Sequence, residues 1–175
     1  ACKHCGSAFL PCRPLQSVCS PICASRLVKA SKKAEIQTTR ARREAIKTIP
    51  QLIREAQFAF NAYIRARDRE KPCICCGQPL ELSAVGGGYD CGHYRSTGSA
   101  SHLRFHEDNA HGQRKVCNRY GAGRAVDYRI GLIARIGLER VEALETNNQV
   151  GKWTADRLRA IKAEYRAKLK ELEKA

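Results

Sequence analysis

The stretch "YDCGHYRSTGSASHLRFHEDNAHGQRKVCN", residues 89–118, decides how this chain reads. It gathers four of the five histidines, two aspartates, two asparagines and two cysteines into thirty residues. An element that only packs has no need of so many metal ligands and proton carriers. Tyr89–Tyr94 reads as a short strand. Just before it, Gly86–Gly88 reads as a hairpin turn. Upstream again, Cys73-x2-Cys76 forms a knuckle, a spacing that points two thiolates at one tetrahedral ion. Downstream, "NAHGQRKVCNRYGAG" (109–123) reads as the approach to a helix of modest length, ending near Gly121 or Gly123. Knuckle, hairpin, loop and helix in that order predict a ββα-metal unit over residues 73–124.

The rest of the chain sets the context. Its 175 residues carry 32 Lys+Arg against 17 Asp+Glu, a formal net charge of +15. That balance points to a polyanionic partner: nucleic acid first, an anionic membrane surface second. No apolar run approaches the roughly 20 residues of a membrane-spanning helix, so a spanning protein is not expected. Aromatics are sparse, at 6%, which suits small metal-stapled modules joined by helices better than one large core. No secretory signal is visible in these residues, and most of the ten cysteines fall in close pairs. Both features favour metal in a reducing compartment, the cytoplasm, over disulfides.

Residues 1–24 read as an N-terminal zinc-binding module, C-x2-C-x13-C-x3-C, with Cys2, Cys5, Cys19 and Cys23 as ligands. Four thiolates leave no open metal position, so the role is structural. Residues 25–72 read as a basic helical region. Its first half sets eight basic residues against two acidic ones, with Ser25 as a helix cap. Lys32, Lys33, Arg40, Arg42 and Arg43 are placed to neutralise phosphates. Pro50 opens a second helix with an apolar stripe of Leu52, Ala56, Ala59, Phe60, Tyr63 and Ala66, and Pro72 stops it. Residues 125–175 form a C-terminal helical region: two short helices broken near Gly137, then a helix capped by Thr154. The seam Leu158, Ile161, Tyr165, Leu169, Leu172 packs on its own chain or on a second copy. The expected fold is mainly α with small zinc-stapled modules, the ββα unit lying between helical flanks.

The opening C-x2-C and C-x3-C pairs, "REAQFAFNAYIRARDREKPCICCG", the phrases "GHYR", "LRF" and "CN" within 89–118, and "WTADRLRAIKAEYRAKLKELE" together resemble the NinG/Rap recombination nucleases of lambdoid phages. The resemblance covers nearly the whole chain. That family is in turn similar to the HNH, or ββα-metal, endonucleases. The resemblance implies a structure-specific DNA endonuclease acting on branched intermediates such as Holliday junctions and D-loops, in the host cytoplasm. His93 matches the family's strand histidine, the general base for an attacking water. Asn109 holds the middle position of the motif and Asn118 the last, giving an H-N-N variant. Asp90 and Asn118 are the expected ligands of a catalytic Mg²⁺ or Mn²⁺. Successive strand residues point to opposite faces, so bringing Asp90 to His93 calls for a bulge at Gly92; without one, Asp90 is not a ligand beside His93. Arg95 and Arg104 are further phosphate contacts, and His102 and His106 are spare ligands or loop histidines. The family pattern also expects a second Cys-x2-Cys at 114 and 117, where this chain has Arg114 and Cys117. Cys73, Cys76, His111 and Cys117 are therefore the expected central zinc ligands, with Cys75 and Cys91 as alternatives to His111; the other alternative is a degenerate site without zinc, its core held by packing alone. Two opposing nicks imply a homodimer, and recombination or replication proteins are further partners. Basic charge and zinc pairs alone equally fit a non-catalytic nucleic-acid-binding protein.

Overall fold

The computed structural model describes residues 1–82 and 87–174 and is mainly helical. The chain divides between Lys47 and Thr48 into two compact units.

In the first unit, a loop-rich segment leads into α1 (Pro21–Ala45). Ser20, not Ser25, is its cap: the Ser20 hydroxyl accepts the N–H of Cys23 at 3.2 Å. Pro21 sits in the first turn, where its missing N–H leaves no gap. The boundary drawn between residues 24 and 25 therefore falls inside a helix. Cys23 is the one residue α1 buries; Lys32, Lys33, Arg40, Arg42 and Arg43 are all exposed.

The second unit is built on α2 (Ile49–Arg67) and α5 (Ala155–Leu172). The Gln51 side chain accepts the Thr48 N–H at 2.9 Å, closing the start of α2. The helix ends at Arg67, before Pro72. Thr154 caps α5 as its position suggests, accepting the Arg157 N–H at 3.3 Å. Leu52, Ala56, Ala59, Phe60 and Ile64 of α2 pack with Leu158 and Tyr165 of α5. The Phe60 and Tyr165 rings meet edge-on at 4.8 Å. Each large side chain so buried contributes about 1.5–3 kcal/mol of transfer free energy. The seam of α5 therefore packs on its own chain, and only its far end, Leu172, is substantially exposed. A second cluster joins α3 (Ala125–Ile136) and α4 (Leu138–Thr146) through Tyr128, Leu132, Val141 and Leu144 to Ile74, Ala100 and Leu103. The break between the two helices is Gly137, at φ +88°, a conformation glycine adopts without steric cost.

The sheet has two antiparallel strands, β1 (Tyr89–His93) and β2 (Ala110–Arg114). The partner of the predicted strand thus lies after the histidine-rich loop, not before it, and the hairpin turn at Gly86–Gly88 is not what joins the pair. Gly86 itself lies outside the described residues. Ala110–Arg114 contains no β-branched or aromatic residue, so propensity conceals it as a strand. Tertiary contacts fix it there: the Gly112 N–H donates to Asp68 Oδ2 at 2.9 Å. A β-carbon at Gly112 would lie 2.7 Å from Leu80 Cδ1. After β2 the helix is shorter than expected, a single π-helical turn at Val116–Tyr120.

Candidate functional site

Two thiolate clusters are present among the described residues: Cys2, Cys5, Cys19 and Cys23, and Cys73, Cys76 and Cys117. Each opens on the same local device. Gly6, after Cys5, has φ +75°, and Gly77, after Cys76, has φ +68°. Gly6 N–H returns to the Cys2 carbonyl at 2.9 Å, and Gly77 N–H to the Cys73 carbonyl at 3.0 Å. Both knuckles also aim a backbone N–H at sulfur: Cys19 N to Cys2 Sγ at 3.4 Å, Arg114 N to Cys73 Sγ at 3.3 Å. In the N-terminal cluster, Cys19 Sγ lies 3.6 Å from Cys5 Sγ and 3.5 Å from Cys23 Sγ. The edge of a tetrahedron with Zn–S arms of about 2.3 Å is roughly 3.8 Å, so these residues fit zinc. The surroundings split the thiols within each cluster: hydrogen bonds to neighbouring sulfurs push Cys19 up to about 12, burial pushes Cys117 up to about 11, and others are drawn down. Backbone N–H groups of Cys5 and Cys19 draw Cys2 down to about 6. The Cys75 thiol and neighbouring N–H groups draw Cys73 down to about 4 against the effect of burial.

His111 does not join the central cluster. Its Nε2 faces the Asp108 carbonyl at 3.1 Å, and its Nδ1 lies 3.1 Å from Arg67 Nη2 and 3.5 Å from Asp68. It belongs instead to a buried polar group around Asp68, which is fully enclosed. Arg67 reaches both Asp68 oxygens, at 2.9 and 2.8 Å, and Lys71 approaches at 3.0 Å. Burial alone raises a carboxyl pKa. Here His111, Arg67 and the Gly112 N–H outweigh it and hold Asp68 far below the usual carboxylate range.

A cleft of about 430 Å³ is lined by Cys91, His93, Ser96, Thr97, Asn118 and Tyr128, among others. His93 ends β1, and its Nε2 lies 3.1 Å from the Arg104 carbonyl. A carbonyl oxygen only accepts, so Nε2 carries the hydrogen and Nδ1 keeps the lone pair. Burial depresses the His93 pKa, which keeps the ring neutral. Asn109, fully buried, ties down both sides of the loop between the strands. Its Oδ1 accepts the Arg95 N–H at 2.8 Å, and its Nδ2 donates to the Arg95 and Leu103 carbonyls at 3.0 and 3.1 Å. This holds the segment that presents the Arg104 carbonyl to His93.

Strand pairing runs without interruption through Gly92, so the anticipated bulge is absent, and Cys91, not Asp90, shares the cleft-lining face with His93. Asp90 meets the cleft through Asn118, whose Nδ2 lies 3.2 Å from Asp90 Oδ2. Arg119 donates to both oxygens of that carboxylate, from Nε to the same Oδ2 at 2.8 Å and from Nη2 to Oδ1 at 3.1 Å. The guanidinium groups of Arg95 and Arg104 make protein contacts. Arg95 donates to the carbonyls of Leu144 and Asn147 at the end of α4, and Arg104 to Gln57 and the Thr97 carbonyl. His102 and His106 line a separate hollow with Trp153.

Sequence reasoning missed Asp68 and Tyr128. Tyr128 is buried, and its hydroxyl donates to the Gly92 carbonyl at 2.9 Å, which fixes β1 beside the cleft. A tyrosine three residues into an amphipathic helix carries no local sign of such a role.

No helix among the described residues is long and apolar enough to cross a membrane. No solved structure matches the chain. The family model described as "Bacteriophage Lambda NinG protein" matches residues 1–175. The NinG protein of Escherichia phage lambda is 40% identical, with 98% of this chain and 92% of the relative aligned. Those of Salmonella phage P22 and Escherichia phage 933W are each 39% identical over the same shares. A match along the entire chain, with relatives this similar over nearly their full length, places the protein in the NinG family.

Proposed function

We propose that the protein is a metal-dependent, HNH-like endonuclease that hydrolyses phosphodiester bonds in branched DNA such as Holliday junctions and D-loops. One observation carries the reading: His93, its Nε2 satisfied by the Arg104 carbonyl so that Nδ1 keeps the lone pair, lines one cleft together with Asn118. Such a ring can take the proton of an attacking water. Asn109 positions it by holding the loop that carries the Arg104 carbonyl. The order β1, loop, β2, π-turn supports a ββα-metal unit.

Asp90 and Asn118 are the residues that would hold Mg²⁺ or Mn²⁺. Asn118 lines the cleft and Asp90 lies behind it, its carboxylate accepting from Asn118 Nδ2 at 3.2 Å and from Arg119 at 2.8 Å; both side chains carry the hard oxygen donors such cations select, and an ion there would take the place of Arg119. When bound, the cation supplies positive charge to the scissile phosphate and the leaving oxygen. The exposed basic residues of α1 and the net charge of +15 favour binding dominated by phosphate contacts, hence steeply salt-dependent. Two opposing nicks from one site per chain call for a homodimer on the junction.

The test is incubation of a labelled four-way junction with Mg²⁺ or Mn²⁺, comparing the native protein with His93→Ala. Cleavage by the native protein alone is the expected outcome. Tight binding with no cleavage by either would leave a zinc-stapled DNA-binding module in its place.

A further inference from the structure

The two thiolate centres are built alike but end differently. The N-terminal one gathers four sulfurs; the central one gathers three. Among the described residues the other candidate donors near the central centre have partners of their own, and Cys75, although it also contacts Cys73, falls outside the three-thiol cluster. Both ring nitrogens of His111 face the Asp68 group and the Asp108 carbonyl. Cys75 Sγ accepts from Gln113 Nε2 at 2.8 Å and lies 3.7 Å from the Gly123 carbonyl. Cys91 packs into the core with Phe60 and Phe105 and lines the His93 cleft. Glu81 pairs with Arg114, and Asp127 with Arg124. The segment 83–86 is Ser-Ala-Val-Gly and contains no Cys, His, Asp or Glu.

The geometry points to a three-thiolate metal centre at Cys73, Cys76 and Cys117 whose fourth coordination position is taken by a donor from outside the chain, either water or a small-molecule thiolate. Cys73 and Cys117 are buried and Cys76 is half-buried, so the open side is the one at Cys76. There the guanidinium of Arg114 flanks the Cys76 thiol, while that of Arg124 flanks Cys117. These two cations offset the excess negative charge that three thiolates leave around a divalent ion. A closed four-thiolate site holds its metal without exchangeable ligands; a three-thiolate site exposes the metal to competing donors. Arg114 is spaced from Cys117 as Cys73 is from Cys76, and its backbone N–H already touches the Cys73 sulfur. A thiol introduced there would be positioned to close the site.

The experiment uses the full chain loaded with Co²⁺ in place of Zn²⁺, followed by visible and near-ultraviolet absorption. Two ions per chain are expected. Added imidazole or 2-mercaptoethanol should shift the d–d bands of one ion and leave the other unchanged. Cys73→Ser should abolish the responsive component alone. Arg114→Cys should raise the thiolate-to-cobalt absorption by one-third at that ion and remove its response to added ligand. Binding of a single ion per chain, or two ions both indifferent to added donors in the native protein, would overturn the inference. None of these readouts depends on strand cleavage, so they stand apart from the nuclease reading.

Discussion

The Asp68 carboxylate accepts the backbone N–H of Gly112 at 2.9 Å inside the protein, and so ties the end of α2 to the middle of β2. Replacing it with alanine leaves Arg67 and the Gly112 N–H without their partner in a buried setting. Asp68→Ala should cost about 3–5 kcal/mol, read as a lower denaturant midpoint. The pH dependence follows from its depressed pKa. In the unfolded chain the group protonates near its ordinary value of about 3.9. The stability it contributes is therefore fully present above that value and is lost as pH falls toward the folded pKa. The native protein should lose stability steeply below about pH 4, and the Asp68→Asn variant less steeply.

On the nuclease reading, the lowered pKa of His93 should set the acid limb of cleavage. Below its folded pKa the ring is protonated and has no lone pair to offer. Because burial pushes that pKa below the ordinary value of about 6.5, the rate of junction cleavage should hold to a lower pH than a free histidine would allow. His93→Ala should reduce cleavage by about 10²–10⁴-fold with junction affinity nearly unchanged, as measured by single-turnover cleavage and gel shift on the same samples.

Asn109 makes three hydrogen bonds from a fully buried position. Asn109→Ala strands the Arg95 N–H and two carbonyls, at about 1–3 kcal/mol for each buried group left unpaired. Amide exchange should rise across residues 94–109. Cleavage should fall with it while the His93 side chain remains in place, a combination that loss of the base alone does not produce.

Gly131 of α3 packs against the central knuckle so closely that a β-carbon would lie 1.8 Å from the Ile74 carbonyl oxygen. That neighbour is backbone and cannot swing aside. Gly131→Ala should destabilise by at least about 1–3 kcal/mol, the range for overpacking a core, and should weaken metal retention at Cys73 and Cys76. Gly123→Ala, where a β-carbon meets nothing within 4 Å but φ is +80°, should cost about 1 kcal/mol and spare the metal.

Much of this architecture can be read from local signals. Thr154 announces α5, the proline at position 50 marks the start of α2, and knuckle spacing identifies the cysteines that cluster. What escapes is whatever depends on distant partners. β2 lacks strand formers and is held by an aspartate more than forty residues away. Asp68, at the end of a basic helix, looks like a surface acid until the fold encloses it. His111 has the chemistry of a zinc ligand, and only the position of Arg67 and Asp68 assigns it elsewhere. The partner that fixes the His93 tautomer is a backbone carbonyl, which every residue possesses and no residue type advertises. Asp90 reads as a neighbour of His93, yet uninterrupted pairing at Gly92 places it behind Asn118.

The π-helical turn at Val116–Tyr120 carries Cys117 and Asn118 on adjacent residues. One side chain belongs to the thiolate cluster and the next lines the histidine cleft. A single peptide linkage therefore couples the two places, with no intervening side chain to absorb a displacement. An ion gripping Cys117 would also re-aim the amide beside it, so that a staple there would double as a setting screw for the cleft.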